Sequence, residues 1–147
     1  MTYCVAMLLD AGLVFLSDSR TNAGVDQINT FRKTTVFERA GDRVIVLMSA
    51  GNLAITQGAL NLLAERIASQ TGEATLLNAP NLFEAARCVG SALREMHQRD
   101  AEALRLQGIE FNASFILGGQ IKGEAPRLFQ IYAAGNFVEA TPDTSYF

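Results

Sequence analysis

The sequence predicts an α+β fold, because its β-prone and helical runs are segregated: strands first, two helices next, then strands again. Two observations carry this. Val44-Ile45-Val46-Leu47-Met48 is a continuous apolar run bounded by turns, the pattern of a strand buried on both faces. Residues 53–106 then place apolar side chains at helical spacing, interrupted once by a linker.

Tyr3 to Leu9 is β-prone, Asp10-Ala11-Gly12 marks a turn, and Leu13 to Leu16 resumes the apolar run, so the start reads as a hairpin. Arg20 to Asn29 is polar, carries Gly24 and reads as a loop. Phe31 to Glu38 alternates imperfectly, as a half-buried strand does, and Ala40-Gly41-Asp42 turns the chain into a strand over Arg43 to Ala50. Gly51-Asn52 breaks that strand. Leu53 to Ala68 sets Ile55, Ala59, Leu62, Leu63 and Ile67 on one helical stripe, and residues 71–80 form a linker. Asn81 is an N-cap with Glu84 as its capping-box partner. That second helix runs to about Leu106, buries Leu82, Ala86, Val89, Leu93 and Met96, and stops near Gly108. Asn112 to Leu117 and Leu128 to Ala134 predict a second hairpin across residues 118–126, and Phe137 to Ala140 begins a short strand. No repeat, low-complexity tract or boundary divides the chain, so residues 1–147 are expected to form one domain. Helices cover one side of the inferred sheets only, which predicts that a C-terminal part lies beyond this sequence.

Composition narrows the function classes. Twelve Lys and Arg against fifteen Asp and Glu give a net charge of −3, which argues against a nucleic-acid module. With 49% apolar and 18% charged residues, the chain has enough surface to bury and is not disordered. A mean hydropathy of +0.15 is rich for a small monomer and points to apolar surface buried between subunits. Cys4 and Cys88 form no CxxC pair, and a single His leaves too few ligands for zinc. Asp10 and Asp18 interrupt the early apolar runs and no basic segment precedes them, so neither a signal peptide nor a membrane span is read and a cytoplasmic location is expected.

Most catalytic arrangements are excluded. There is no GxSxG elbow. His97 reads as a solvated helix residue beside Arg94, Arg99 and Asp100 rather than a triad member. Gly118-Gly119-Gln120-Ile121-Lys122-Gly123 is not GxxxxGK and precedes no helix, so a hairpin turn explains it better than a phosphate cradle. One constellation remains: Thr2 before the first strand, Asp18 at the end of the second, Lys33 on the next, and Ser49-Ala50-Gly51 before a helix. An N-terminal threonine carries its own base, because an α-amino group titrates at about 7.7–8.0 and is partly neutral near pH 7. A nearby lysine ammonium favours the neutral amine, an aspartate holds that ammonium, and an amide at a strand-to-helix turn can receive an oxyanion. By spacing alone, a structural Asp18–Lys33 salt bridge, a plain turn at Gly51 and an ordinary second residue account for these positions better.

The wording of the segments changes the weighting. Residues 2–6, 16–24, 31–33 and 48–54 resemble the opening of proteasome β-type subunits. "SDSRTNAGVDQINTFRK" followed by "VIVLMSAGNLA" resembles most closely the bacterial Anbu proteins (ancestral β-subunit, or proteasome-type protease), and the resemblance runs through both helices to the end of the chain. It implies an N-terminal-nucleophile hydrolase fold, a four-layer αββα sandwich with two antiparallel sheets, assembled into rings or ring-like oligomers. It implies Thr2 as nucleophile, Asp18 and Lys33 as its support, and Gly51 as the oxyanion amide. Thr21, Asn22, Ser49 and Ala50 would bind substrate backbone as an added strand, and Arg20 would support the loop around Asp18. Proteasome β subunits often carry an Asp shortly after the oxyanion glycine; Ile55 stands here, so the specificity pocket is expected to differ. Thr2 gains a free amine only once Met1 is removed, and threonine is small enough for that. The family's final strand bears a Ser and an Asp near the nucleophile, and this sequence does not contain that strand.

The leading expectation is thus a threonine-type peptidase in a ring or helical homo-oligomer, needing no cofactor or metal and acting on peptides or unfolded protein, with an unfoldase partner open. Two alternatives stand beside it: a non-catalytic assembly protein of the same fold, and a small-molecule N-terminal-nucleophile amidase.

Overall fold

The computed structural model describes residues 2–22, 28–69 and 72–147, except for the side chains at 21, 22, 28 and 29. It opens with the expected hairpin: β1 (Cys4–Leu9) pairs antiparallel with β2 (Gly12–Ser17), Cys4 opposite Ser17 and Leu9 opposite Gly12. Alternation along both strands sends Ala6, Leu8, Leu13 and Phe15 toward the second core of the molecule.

The polar stretch after β2 departs from expectation. Instead of a plain loop, β3 (Arg20–Asn22) and β4 (Ile28–Thr30) pair antiparallel, with Arg20 opposite Thr30. Main-chain pairing needs no apolar side chains, so composition alone hides such a hairpin. Gly24 lies outside the described residues.

Five strands form the main sheet: β5 (Thr34–Arg39), β6 (Arg43–Gly51), β7 (Ala113–Ile121), β8 (Arg127–Ile131) and β9 (Phe137–Glu139), antiparallel and in chain order. β6 and β7 are in register over nine residues, from Arg43 opposite Ile121 to Gly51 opposite Ala113. As the apolar run predicts, β6 is buried from both sides at its centre. Ile45 and Leu47 face the helices, and Met48 faces the hairpin. Val44, at the rim, is 41% exposed.

The helices α1 (Leu53–Ser69) and α2 (Leu82–Leu106) lie on one face of this sheet. Ile55, Ala59 and Leu63 of α1 are buried, while Leu62 and Ile67 pack half-buried at the margin. The whole expected stripe of α2 is buried. Each large apolar side chain removed from water there contributes about 1.5–3 kcal/mol. Asn81 caps α2, its Oδ1 accepting from the Glu84 N–H at 2.9 Å. Glu84 turns its carboxylate to Arg87. Arg94, itself exposed, donates to the Gly135 carbonyl at 2.9 Å, where Gly90 and Gly135 let α2 approach the β8–β9 turn closely.

The expected second hairpin forms, but its turn is shorter and later. β7 continues through Gly118 and Gly119 to Ile121. The two glycines serve close packing rather than chain reversal. A Cβ on Gly118 would stand 2.6 Å from the Phe15 ring, and one on Gly119 2.4 Å from the Val44 carbonyl oxygen.

Residues 145–147 return to β1. Ala6 and Phe147 exchange both main-chain hydrogen bonds, and the Leu8 N–H donates to Ser145. The result is α+β: the β1–β2 sheet stacks on the five-stranded sheet, the helices lie on the other face of the latter, and β3–β4 forms a separate short antiparallel pair. No described helix is long and apolar enough to cross a membrane.

Candidate active site

The hairpin register decides where the site begins. Cys4 opposes Ser17, so Tyr3 and Asp18 meet just past the paired region. The Asp18 N–H donates to the Tyr3 carbonyl at 3.0 Å, and the Tyr3 N–H donates to Asp18 Oδ1 at 2.8 Å. The Arg20 N–H donates to Asp18 Oδ2 at 3.2 Å. From the start of β5, Lys33 reaches across to the same carboxylate, Nζ to Oδ1 at 2.6 Å, and to the Arg20 carbonyl at 2.7 Å. Arg20 therefore shapes this corner through its main chain.

Lys33 is only 6% exposed. A buried ammonium needs an ionised partner. The Lys33 hydrogen bond, seconded by the Tyr3 N–H, lowers the Asp18 carboxyl pKa to about 2. The carboxylate is thus kept charged well below neutral pH.

Thr2, Lys33, Ser49, Ala50 and Gly51 line one small cleft of about 30 Å³, walled by Phe31, Leu53 and Thr56. The structure therefore brings Thr2 and Lys33, separated along the chain, to the same space. Ser49 is buried, its N–H donating to the Lys33 carbonyl at 2.9 Å and its hydroxyl to the same oxygen at 3.4 Å. Gly51 ends β6 at φ +107, and a Cβ there would stand 2.5 Å from the Asn112 carbonyl oxygen. Only glycine fits this strand-to-helix corner. Asn52 then starts α1, its Oδ1 accepting from the Ala54 N–H at 2.9 Å. Thr21 and Asn22 lie on β3, opposite Asn29 and Ile28, with their side chains outside the described residues.

Several neighbours carry no sequence motif. Ser17 and Thr34 join their hydroxyls at 2.9 Å. The Cys4 thiol, pushed up by burial, donates to the Ser49 carbonyl at 3.7 Å. Phe31 and Leu53 each sit two residues from a singled-out position, within the segments that carry the resemblance. His97 is exposed, as expected of a helix surface, with its ring edge against Phe111 at 4.9 Å. Larger surface clefts lie elsewhere; one of about 400 Å³ is bordered by Arg66, Glu84, Arg87 and Arg94, three of them in ion pairs with acidic side chains or each other. Among the described residues, no three His, Cys, Asp or Glu side chains gather to hold a metal.

No family model and no curated sequence matches the chain. Solved structures do. An Anbu (Gly-1) mutant from Hyphomicrobium sp. strain MC1 is 51% identical with a TM-score of 0.91, over 100% of this chain. Over its whole length this chain matches the Anbu family. Anbu (ancestral β-subunit) from Yersinia bercovieri is likewise 51% identical, with a TM-score of 0.90 over 99% of this chain. The helical assembly of the Anbu complex from Pseudomonas aeruginosa gives 49% identity and a TM-score of 0.91, also over 99%. The chain spans 59–60% of the length of these Anbu chains. The α+β arrangement of two antiparallel sheets and two helices is the Anbu arrangement, as the resemblance implied.

Proposed function

We propose that this chain is a proteasome-type threonine peptidase or amide hydrolase with Thr2 as its nucleophile, working in a self-assembled ring or helical oligomer. The observation that carries the reading is the buried Lys33, held by Asp18 in the cleft it shares with Thr2 and Gly51. With Met1 removed, the Thr2 amine takes the Oγ proton as Oγ attacks the scissile carbonyl carbon. Lys33 favours the neutral amine and stabilises the developing oxyanion side of the site. The Gly51 N–H receives the oxyanion. The amine then returns its proton to the leaving nitrogen as the C–N bond breaks, leaving an ester on Thr2. Water, activated by the same amine, hydrolyses that ester. Thr21, Asn22 and residues 49–51 hold the substrate backbone as an added strand. No step calls for a cofactor.

Assembly is supported by the Pseudomonas aeruginosa relative, which forms a helical complex. One heterologous contact gives a ring or an open helix, according to whether its rotation closes. Enclosure of the sites would restrict access to short or unfolded peptides.

The test is intact mass followed by a fluorogenic peptide panel, on wild type and Thr2→Ala. Loss of Met1, turnover by wild type and none by the variant support the reading. A mass beginning at Met1, or equal turnover by Thr2→Ala, overturns it in favour of a non-catalytic assembly protein.

A further inference from the structure

Ser17 and Thr34 are the chain neighbours of Asp18 and Lys33, and their hydroxyl oxygens lie 2.9 Å apart. Ser17 ends β2 in the hairpin sheet, and Thr34 begins β5 in the main sheet. Their bond therefore crosses between the sheets beside the point where Lys33 crosses to Asp18. Neither hydroxyl has a part in the chemistry above.

An ion pair alone sets position poorly. Lysine's ammonium is a point charge on a flexible stem, so it can follow a carboxylate through a range of strand separations. A hydroxyl–hydroxyl bond is short and directional, and fixes one separation. We infer that the Ser17–Thr34 pair is a positioning device that sets the end of β2 against the start of β5 and so fixes the Lys33 ammonium relative to Thr2. The inference rests on the hydrolase reading for its consequence in rate, but its geometry stands without it. Displacements of about 1 Å in such sites cost on the order of 100-fold in rate.

The experiment uses the full chain with Met1 removed, as wild type, Ser17→Ala, Thr34→Val, the double variant and Thr34→Ser. A peptide epoxyketone, which needs both the hydroxyl and the amine of an N-terminal threonine, is followed into its Thr2 adduct by intact mass. The maximal rate of adduct formation should fall about 10- to 100-fold in both single variants with half-saturation unchanged. The double variant should fall no further, since both changes remove one bond. Thr34→Ser, which keeps the hydroxyl, should recover the rate lost in Thr34→Val. Hydrogen exchange is measured alongside. Amides in a peptide spanning residues 16–22 should exchange about tenfold faster in the variants while α2 and β7 stay protected. Unchanged adduct rates, single effects that multiply in the double variant, or protection lost throughout would overturn the positioning role. Ser17→Ala is small enough to fold if Thr34→Val does not. If wild type forms no adduct, the hydrolase reading fails and exchange alone decides: loss confined to residues 16–22 upholds the pair, and no change overturns it.

Discussion

Lys33 Nζ lies 2.6 Å from Asp18 Oδ1 and 2.7 Å from the Arg20 carbonyl oxygen, so one buried ammonium ties the end of the hairpin to the start of the main sheet. The same ammonium borders the cleft that holds Thr2. Structure and proposed chemistry thus share one group.

Lys33→Ala should separate the two roles. Peptide turnover should fall by about three orders of magnitude, because in the proposed mechanism the lysine acts on both the amine and the oxyanion. Native mass spectrometry should show the assembly unchanged. Full activity in this variant would remove Lys33 from the site.

Acid should loosen the hairpin corner through Asp18. Its carboxyl is lowered from 3.8 to about 2 in the folded chain. Its contribution to stability is therefore complete above the unfolded value and is lost as pH falls from about 4 toward 2. Thermal melts across that window should steepen in wild type and flatten in Asp18→Asn. Equal slopes in both would show that another group carries the acid dependence.

Gly51→Ala should damage folding and activity together. Its φ of +107 strains any side chain, and the Asn112 carbonyl blocks a Cβ at 2.5 Å. Backbone strain of this kind costs on the order of 1–3 kcal/mol. The melting temperature and peptide turnover should both drop, whereas a variant as stable as wild type would mean that the corner can rearrange.

Gly90→Ala offers a contrast at a residue that does not line the cleft. A Cβ there would stand 2.3 Å from the Gly135 carbonyl oxygen and force α2 off the β8–β9 turn. Overpacking costs about 1–3 kcal/mol, read as a lower denaturant midpoint, with the rate per folded site intact. A selective loss of turnover instead would reveal coupling between this turn and the cleft.

What the sequence made legible follows from local physics. The bounds of α2 were readable because Asn81 and Gly108 are strong end markers and the apolar spacing between them is regular. β7 looks shorter in the sequence than it is because Gly118-Gly119 resembles a turn, and only the positions of Phe15 and Val44 show that these glycines make room. β3 and β4 escaped because their pairing is main-chain. The meeting of Lys33 with Asp18 could not come from spacing, since it depends on how two sheets stack; the family resemblance pointed to it. The Ser17–Thr34 contact left no trace in the sequence beyond adjacency to those residues.

The return of residues 145–147 to β1 has a consequence for biosynthesis. β1 begins two residues after Thr2, yet one of its two flanking partners comes from the far end of the described chain. Contacts so distant in sequence close late in folding. A nascent chain still on the ribosome would hold its first strand incompletely paired until Phe147 had emerged. β1, the strand that follows Thr2, would then gain its second partner only after both helices and the five-stranded sheet had been made.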